Sequence, residues 1–135
     1  TIITKIVEAN GWRTAVMGEA MSSGKHYVEF MTLRMTSNYN MFCGVVSSNR
    51  ELNKILDNIE GGFGLSMHNG YKSKYGEDWS ATNLPGFRDS HGQAIVGVLL
   101  DLNDNKIQFS LNGLESDLFD ISPGEYNFAV SLYNQ

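Results

Sequence analysis

Apolar residues in this chain mostly recur at every second position, in short runs broken by glycine, asparagine and serine. That is the period of β-strands whose two faces meet different surroundings. Residues 26–33 form one such run after the turn Ser22-Ser23-Gly24, and residues 62–67 form another that ends near the turn dipeptide Asn69-Gly70. Residues 42–46 are apolar on both faces and predict a strand covered on both sides. Residues 94–102 are almost continuously apolar, which predicts a central strand. Asn103-Asp104-Asn105 then supplies turn residues tolerant of left-handed backbone. The returning strand alternates, with Ile107, Phe109 and Leu111 inward and Gln108, Ser110 and Asn112 outward. Asn112-Gly113 turns the chain again, and residues 126–133 read as a closing strand.

One segment departs from this period. Leu52, Ile55, Leu56 and Ile59 follow the i, i+3, i+4, i+7 spacing of a helix face. Ser48 and Glu51 have capping-box spacing, and Gly61 stands where a helix would stop. The expectation is therefore an all-β chain with one short helix near residues 49–60. At 135 residues it should form a single domain, 1–135, that buries roughly two-thirds of its unfolded surface. It opens on Thr1 rather than Met, which suggests a piece cut from a longer protein.

The formal charge of −5 gives no bulk attraction to nucleic acid or to an anionic membrane. No apolar run approaches the ~20 residues that cross a bilayer, and the first residues lack a signal-peptide design. A lone cysteine and the absence of any Asn-x-Ser/Thr acceptor favour a reducing, intracellular and cytoplasmic setting. Cys43, in an apolar run, reads as a small buried filler rather than a nucleophile. His26, His68 and His91 are separate and point to no metal site. Residues 101–105 resemble the opening of a calcium loop. That pattern fails at Lys106, where glycine is required, and at Asn112, where the bidentate Glu should stand. Glu115 and Asp117 resemble the acidic strand of β-sandwich glycan hydrolases, in which two carboxylates act as nucleophile and acid, but they follow a turn directly. No cofactor is implied.

Aromatic residues carry more. Tyr71, Tyr75 and Trp79 cluster in a polar stretch with Lys72, Lys74 and Arg88 nearby, and these residue types are enriched as binding anchors. Tyr39, between Asn38 and Asn40, is a candidate exposed ring, and Trp12 and Arg13 follow the turn Asn10-Gly11.

Residues 23–30, Ser-Gly-Lys-His-Tyr-Val-Glu-Phe, resemble the "SGKxYWE" strand of the SPRY domain family. Residues 42–46 are similar to its "xxGVA" strand. Residues 95–102 followed by 106–113 resemble its "GDxIGVxLDxxxGxLxFxxNG" hairpin. Phe119 stands near the family's "AF", and residues 128–132 are similar to its "YPAVSL" closing strand. Val28 replaces the usual Trp and Phe128 stands where the family has Pro. The resemblance implies a bent sandwich of two antiparallel sheets without an active site, acting as a substrate- or partner-recognition module within a larger protein. It implies binding of a protein or peptide through loops at one edge, monomeric as an isolated domain. The candidate surface here comprises Arg13, Tyr39, Tyr71, Tyr75, Trp79, Arg88 and Tyr133. A glycan-binding, lectin-like sandwich is the alternative, and a hydrolase built on Glu115 and Asp117 a further one.

Overall fold

The computed structural model describes residues 11–32, 41–48, 50, 52, 54–86 and 94–134. Among the described residues ten strands make two antiparallel sheets. Sheet A has the order β1 (Gly11–Met21), β10 (Tyr126–Asn134), β3 (Met41–Ser47), β4 (Phe63–Ser66), β5 (Lys72–Lys74). Sheet B runs β2 (Lys25–Met31), β6 (Ile95–Asp101), β7 (Lys106–Leu111), β8 (Leu114–Glu115), with β9 (Phe119–Asp120) also pairing β7. The all-β sandwich expected from the alternation is present. So is the hairpin at residues 95–111, whose nearly continuous apolar strand β6 lies between β2 and β7.

The inward positions meet in one core. Cys43 and Val45 of β3, Phe63 and Leu65 of β4 and Phe128 and Val130 of β10 face Val96, Val98, Leu100, Ile107 and Phe109 of sheet B. Phe63, Phe109 and Phe119 pack ring against ring, with centroids 5.8 to 6.4 Å apart. At the open side of the sandwich Lys72 Nζ sits 4.5 Å from the Phe119 ring centre, a cation on an aromatic face that seals the gap between β5 and β9. The turn after β6 is closed by Asp101, whose Oδ1 accepts from the backbone N–H of Asn103 and Asp104 at 3.0 and 3.1 Å. Asn105 takes the left-handed backbone that a hairpin needs there. Asp101 is thus a turn residue, as the failed calcium-loop pattern implied.

Sheet A is covered on its other face too. Phe42 and Val46, pointing away from the main core, are buried with Ala129 beneath Ile55 and Ile59, and Leu52 and Trp12 pack against this second cluster. The covering segment is the one with helical spacing, yet among its described residues only Leu56–Asn58 is helical, as a single 3-10 turn. The short helix expected near residues 49–60 is present, among the described residues, as this single turn. The reason lies in its carbonyls. An α-helix would give Leu52 C=O to residue 56 and Lys54 C=O to residue 58. Here Leu52 C=O accepts from Thr14 N–H at 2.8 Å, and Lys54 C=O from the Thr14 hydroxyl. Asn58 N–H turns instead to Ile55 C=O, three residues back, at 3.0 Å. The apolar spacing still does its work, because Ile55 and Ile59 reach the sheet. Gly61, with φ +76°, ends the turn where a stop was expected.

Gly44 and Gly64 are cross-strand partners beneath this cover. A methyl group on Gly44 would run into the carbonyl of Phe63 and the α-carbon of Gly64, both backbone atoms that cannot step aside. Gly44→Ala is therefore expected to destabilise the chain by about 3 kcal/mol, the upper end of overpacking costs, read as a lowered urea midpoint with unchanged slope. A second expectation concerns β9. The Lys106 ammonium, bonded to Asp120, holds that carboxyl below the ordinary aspartate range. A lowered folded-state pKa means that the stabilisation is complete above the unfolded value of about 3.9 and is lost as pH falls through the folded one. Carboxyl NMR titration should show a depressed Asp120 midpoint that returns toward 3.9 in Lys106→Met.

Candidate functional site

One end of sheet A gathers the starts of β1 and β3 with the ends of β10 and β4. Gly11 lies opposite Asn134, Met41 opposite Leu132, and Phe42 opposite Ser66. On the outer face at this end Phe42 forms a platform. Trp12 meets it edge-on at 5.5 Å and Trp79 at 4.9 Å between ring centres. Trp79 is fixed a second time, since its indole N–H donates to Asp57 Oδ2 at 2.6 Å. Its ring nevertheless remains 44% exposed. Tyr71 lies beside this group. Its carbonyl accepts from Ser66 N–H and its own N–H donates to Asn69 Oδ1. The Thr82 hydroxyl donates to the neighbouring Gly70 carbonyl at 2.6 Å and accepts from Leu84 N–H. Buried Leu84 ties this return strand into the core. The Tyr71 ring thus stands exposed on a doubly tied backbone.

The other expected residues are not all brought here. The stretch from Tyr71 to Trp79 is no free loop, because it contains β5 and is closed by a Lys72–Ser80 bridge. Tyr75 lies at the opposite end of β5, where its N–H donates to Gly62 C=O at 2.9 Å. Four residues of extended chain separate Tyr71 and Tyr75 by about 13 Å. Arg13 sits within strand β1 rather than on a loop, on the core-facing side with Ala15 and Met17 and opposite Leu132. Its Nη1 donates to Trp12 C=O at 2.8 Å. Three strands lie between β1 and β5, so about 19 Å of sheet separates Arg13 from the Tyr71 hairpin. Tyr133 pairs with Trp12 in the ladder, which places its backbone at the gathered end. Tyr39 and Arg88 lie outside the described residues, as does His91. The residues that position Trp79, namely Phe42 and Asp57, carried no signal beyond an aromatic in an apolar run and an acid in an amphipathic one.

Groups that could carry chemistry are placed elsewhere. Cys43 is fully buried, and burial pushes its thiol well up, far from the thiolate that a nucleophile needs. The His26 ring is hydrogen-bonded to Ser23 C=O at 2.6 Å. Among the described residues no group of three or more His, Cys, Asp or Glu is arranged to hold a metal ion. Glu115 and Asp117 flank buried Ser116, whose hydroxyl accepts from Phe109 N–H and donates to Asp117 C=O. Both acids are exposed at the margin of sheet B, and neither lines the depression on that sheet.

The Trp79–Asp57 hydrogen bond is the joint on which the exposed aromatic depends. Asp57→Ala should cost about 1 kcal/mol of stability and leave the Trp79 ring mobile. In NMR spectra the Trp79 indole N–H should shift and exchange faster while the Trp12 signal keeps its protection.

A scan against protein-family models finds no match, and no curated protein matches in sequence. The solved structures do match. The crystal structure of the SPRY domain of human HERC1 superposes with a TM-score of 0.74 at 17% sequence identity, over 94% of this chain and 78% of that one. The chain therefore has the fold of a SPRY-like domain.

Proposed function

We propose that this chain is a non-enzymatic recognition module that holds a partner protein or peptide at the end of sheet A carrying Trp79 and Tyr71. The observation that carries the proposal is that a SPRY-like sandwich here leaves Trp79 and Tyr71 exposed at one end of sheet A, Trp79 held by its ring and indole N–H and Tyr71 held by its backbone. Aromatic anchors held in place before docking lose little conformational freedom on binding, so their contact area converts efficiently into affinity. Tyr133 belongs to the same end by its backbone, and Tyr39 and Arg88 enter by sequence alone. Tyr75 and Arg13 would be reached only by a partner spanning the sheet. The setting we infer is substrate or partner recognition by a monomeric unit of a larger cytoplasmic protein.

The glycan-binding alternative is less well served. Sugar recognition draws on side-chain amides beside an exposed ring, and Asn69 and Asn83 each have one of their two polar atoms already engaged. Asn69 Oδ1 accepts from Tyr71 N–H, and Asn83 Nδ2 donates to Glu115 C=O at 2.8 Å.

The test is capture from a eukaryotic extract, followed by titration of the purified captured protein against the chain and its Tyr71→Ala and Trp79→Phe variants. Each variant should keep its thermal midpoint within a few degrees, and Tyr71→Ala should weaken binding about 30-fold, as expected of an anchor worth about 2 kcal/mol. Equal binding by both folded variants would remove this end of sheet A as the site. Retention of a labelled oligosaccharide on a glycan array, with no protein captured, would replace the proposal by the lectin reading.

A further inference from the structure

The outer face of sheet B is left open. Along β2 the exposed positions are Lys25, Tyr27, Glu29 and Met31, while His26, Val28 and Phe30 turn inward. Tyr27 is 56% exposed, Met31 53% and Leu118, beside the same face, 57%. Three large apolar side chains thus stand exposed on one side of a small domain. Tyr27 lies across Gly97, whose missing side chain gives the ring its room, and its hydroxyl donates to Glu29 at 3.0 Å.

Next to Tyr27 is a depression of about 590 Å³. Leu99 and Gln108 of the central strands form its floor, Leu118 and the stems of Lys25 and Lys106 its sides, with Asp101 and Asp104 at one end. Asp101 Oδ1 is used by the turn. Its Oδ2 has Lys25 Nζ at 3.7 Å, too long for a hydrogen bond, from a lysine side chain that is 67% exposed and able to swing aside.

Charge decides what can lie here. Glu29, Asp101, Asp104, Glu115 and Asp120 surround the face, against Lys25 and Lys106. Both lysines are already paired, with Asp101 and with Asp120. Glu29, Asp104 and Glu115 have no ion-pair partner among the described residues. A second copy of the chain would, in a two-fold contact, bring a face with the same excess of negative charge against this one. Nucleic acid is repelled by the same sign.

We propose that the outer face of sheet B is a second docking surface, separate from the aromatic end of sheet A. Its occupant is an extended basic segment of a protein partner. One Lys or Arg of that segment lies in the depression, its aliphatic stem against Leu99 and Leu118 and its cation at Asp101 and Asp104. Neighbouring apolar side chains of the segment, presented at strand period, cover Tyr27 and Met31. The surface needs both of its properties, since carboxylates alone would attract cations without register and apolar area alone would not select among partners.

The experiment is fluorescence anisotropy with a short labelled peptide in which lysine alternates with valine, beside the same peptide with glutamate for lysine. The lysine peptide should bind and the glutamate peptide should not. Asp104→Asn combined with Glu115→Gln should weaken binding about tenfold, and so, separately, should Leu118→Ser, with Trp79→Phe leaving it unchanged. All of these positions are exposed, so thermal midpoints serve as the control for folding. No binding of the lysine peptide overturns the proposal. If Leu118→Ser binds as well as the parent while the acid variants weaken, the face is only a diffuse negative field, and the proposal also falls. Sedimentation that shows dimers dispersed by Met31→Lys would make the occupant a second copy instead.

Discussion

Strand β3 cannot tolerate water on either side. Cys43 and Val45 face one way and Phe42 and Val46 the other, and all four are essentially fully buried. Sheet A must therefore be an inner layer, with sheet B on one face and Leu52, Ile55 and Ile59 on the other. Much of the rest answers to this demand. The covering segment surrenders its helical hydrogen bonds to β1 in order to lie flat. The Thr14 and Ser131 hydroxyls, buried under it, satisfy one another at 2.7 Å. The missing side chain at Gly44 leaves room for the backbone of β4, since a Cβ there would meet the Phe63 carbonyl and the Gly64 α-carbon. Sheet B has no such obligation on its far side, so its outer positions are free to be polar or sticky.

What the chain made legible follows from how regularly each strand is used. Strand β7 alternates without a break because one face meets the core and the other meets solvent along its whole length, and β6 reads as central because Val96, Val98 and Leu100 are sealed. Strand β1 escaped because it is irregular. Its pairing with β10 slips by two residues between Met17 and Met21, and three exposed residues, Gly18, Glu19 and Ala20, interrupt its apolar alternation there. It also packs on both faces, with Ala15 and Met17 inward and Trp12 on the far side. Strand β5 has three residues, two of them lysines that lean over aromatic rings, and no pattern survives at that length. The helical spacing was right that Ile55 and Ile59 are buried and that Leu52 packs with them, while the backbone of the described residues is helical only over Leu56–Asn58.

The site was legible by residue type and not by position. Aromatic residues in polar surroundings marked Tyr71, Tyr75 and Trp79 together, yet their joint placement depends on where β5 begins and ends. One hairpin sends Tyr71 and Tyr75 to opposite ends of the sheet. Trp79 is both a lid on Phe42 and an exposed ring, a double role that no local pattern encodes. The open face of sheet B went unnoticed because its acids and apolar residues come from four separate stretches of chain and meet only through strand register.

The order of strands in sheet A also bears on how the chain acquires its structure. The last strand, β10, lies between β1 and β3, so the first and third strands have no contact ladder until the end of the domain has been made. Thr14 waits for Ser131 across 117 positions of sequence. Pairings so distant close slowly, because the loop entropy is paid before any contact rewards it. On a ribosome, sheet B could pair its β2, β6 and β7 while half of the β-sandwich was still missing its centre. Until β10 arrives, the edge of β3, with its unpaired backbone N–H and C=O groups, would be open to whatever chaperone stands nearby.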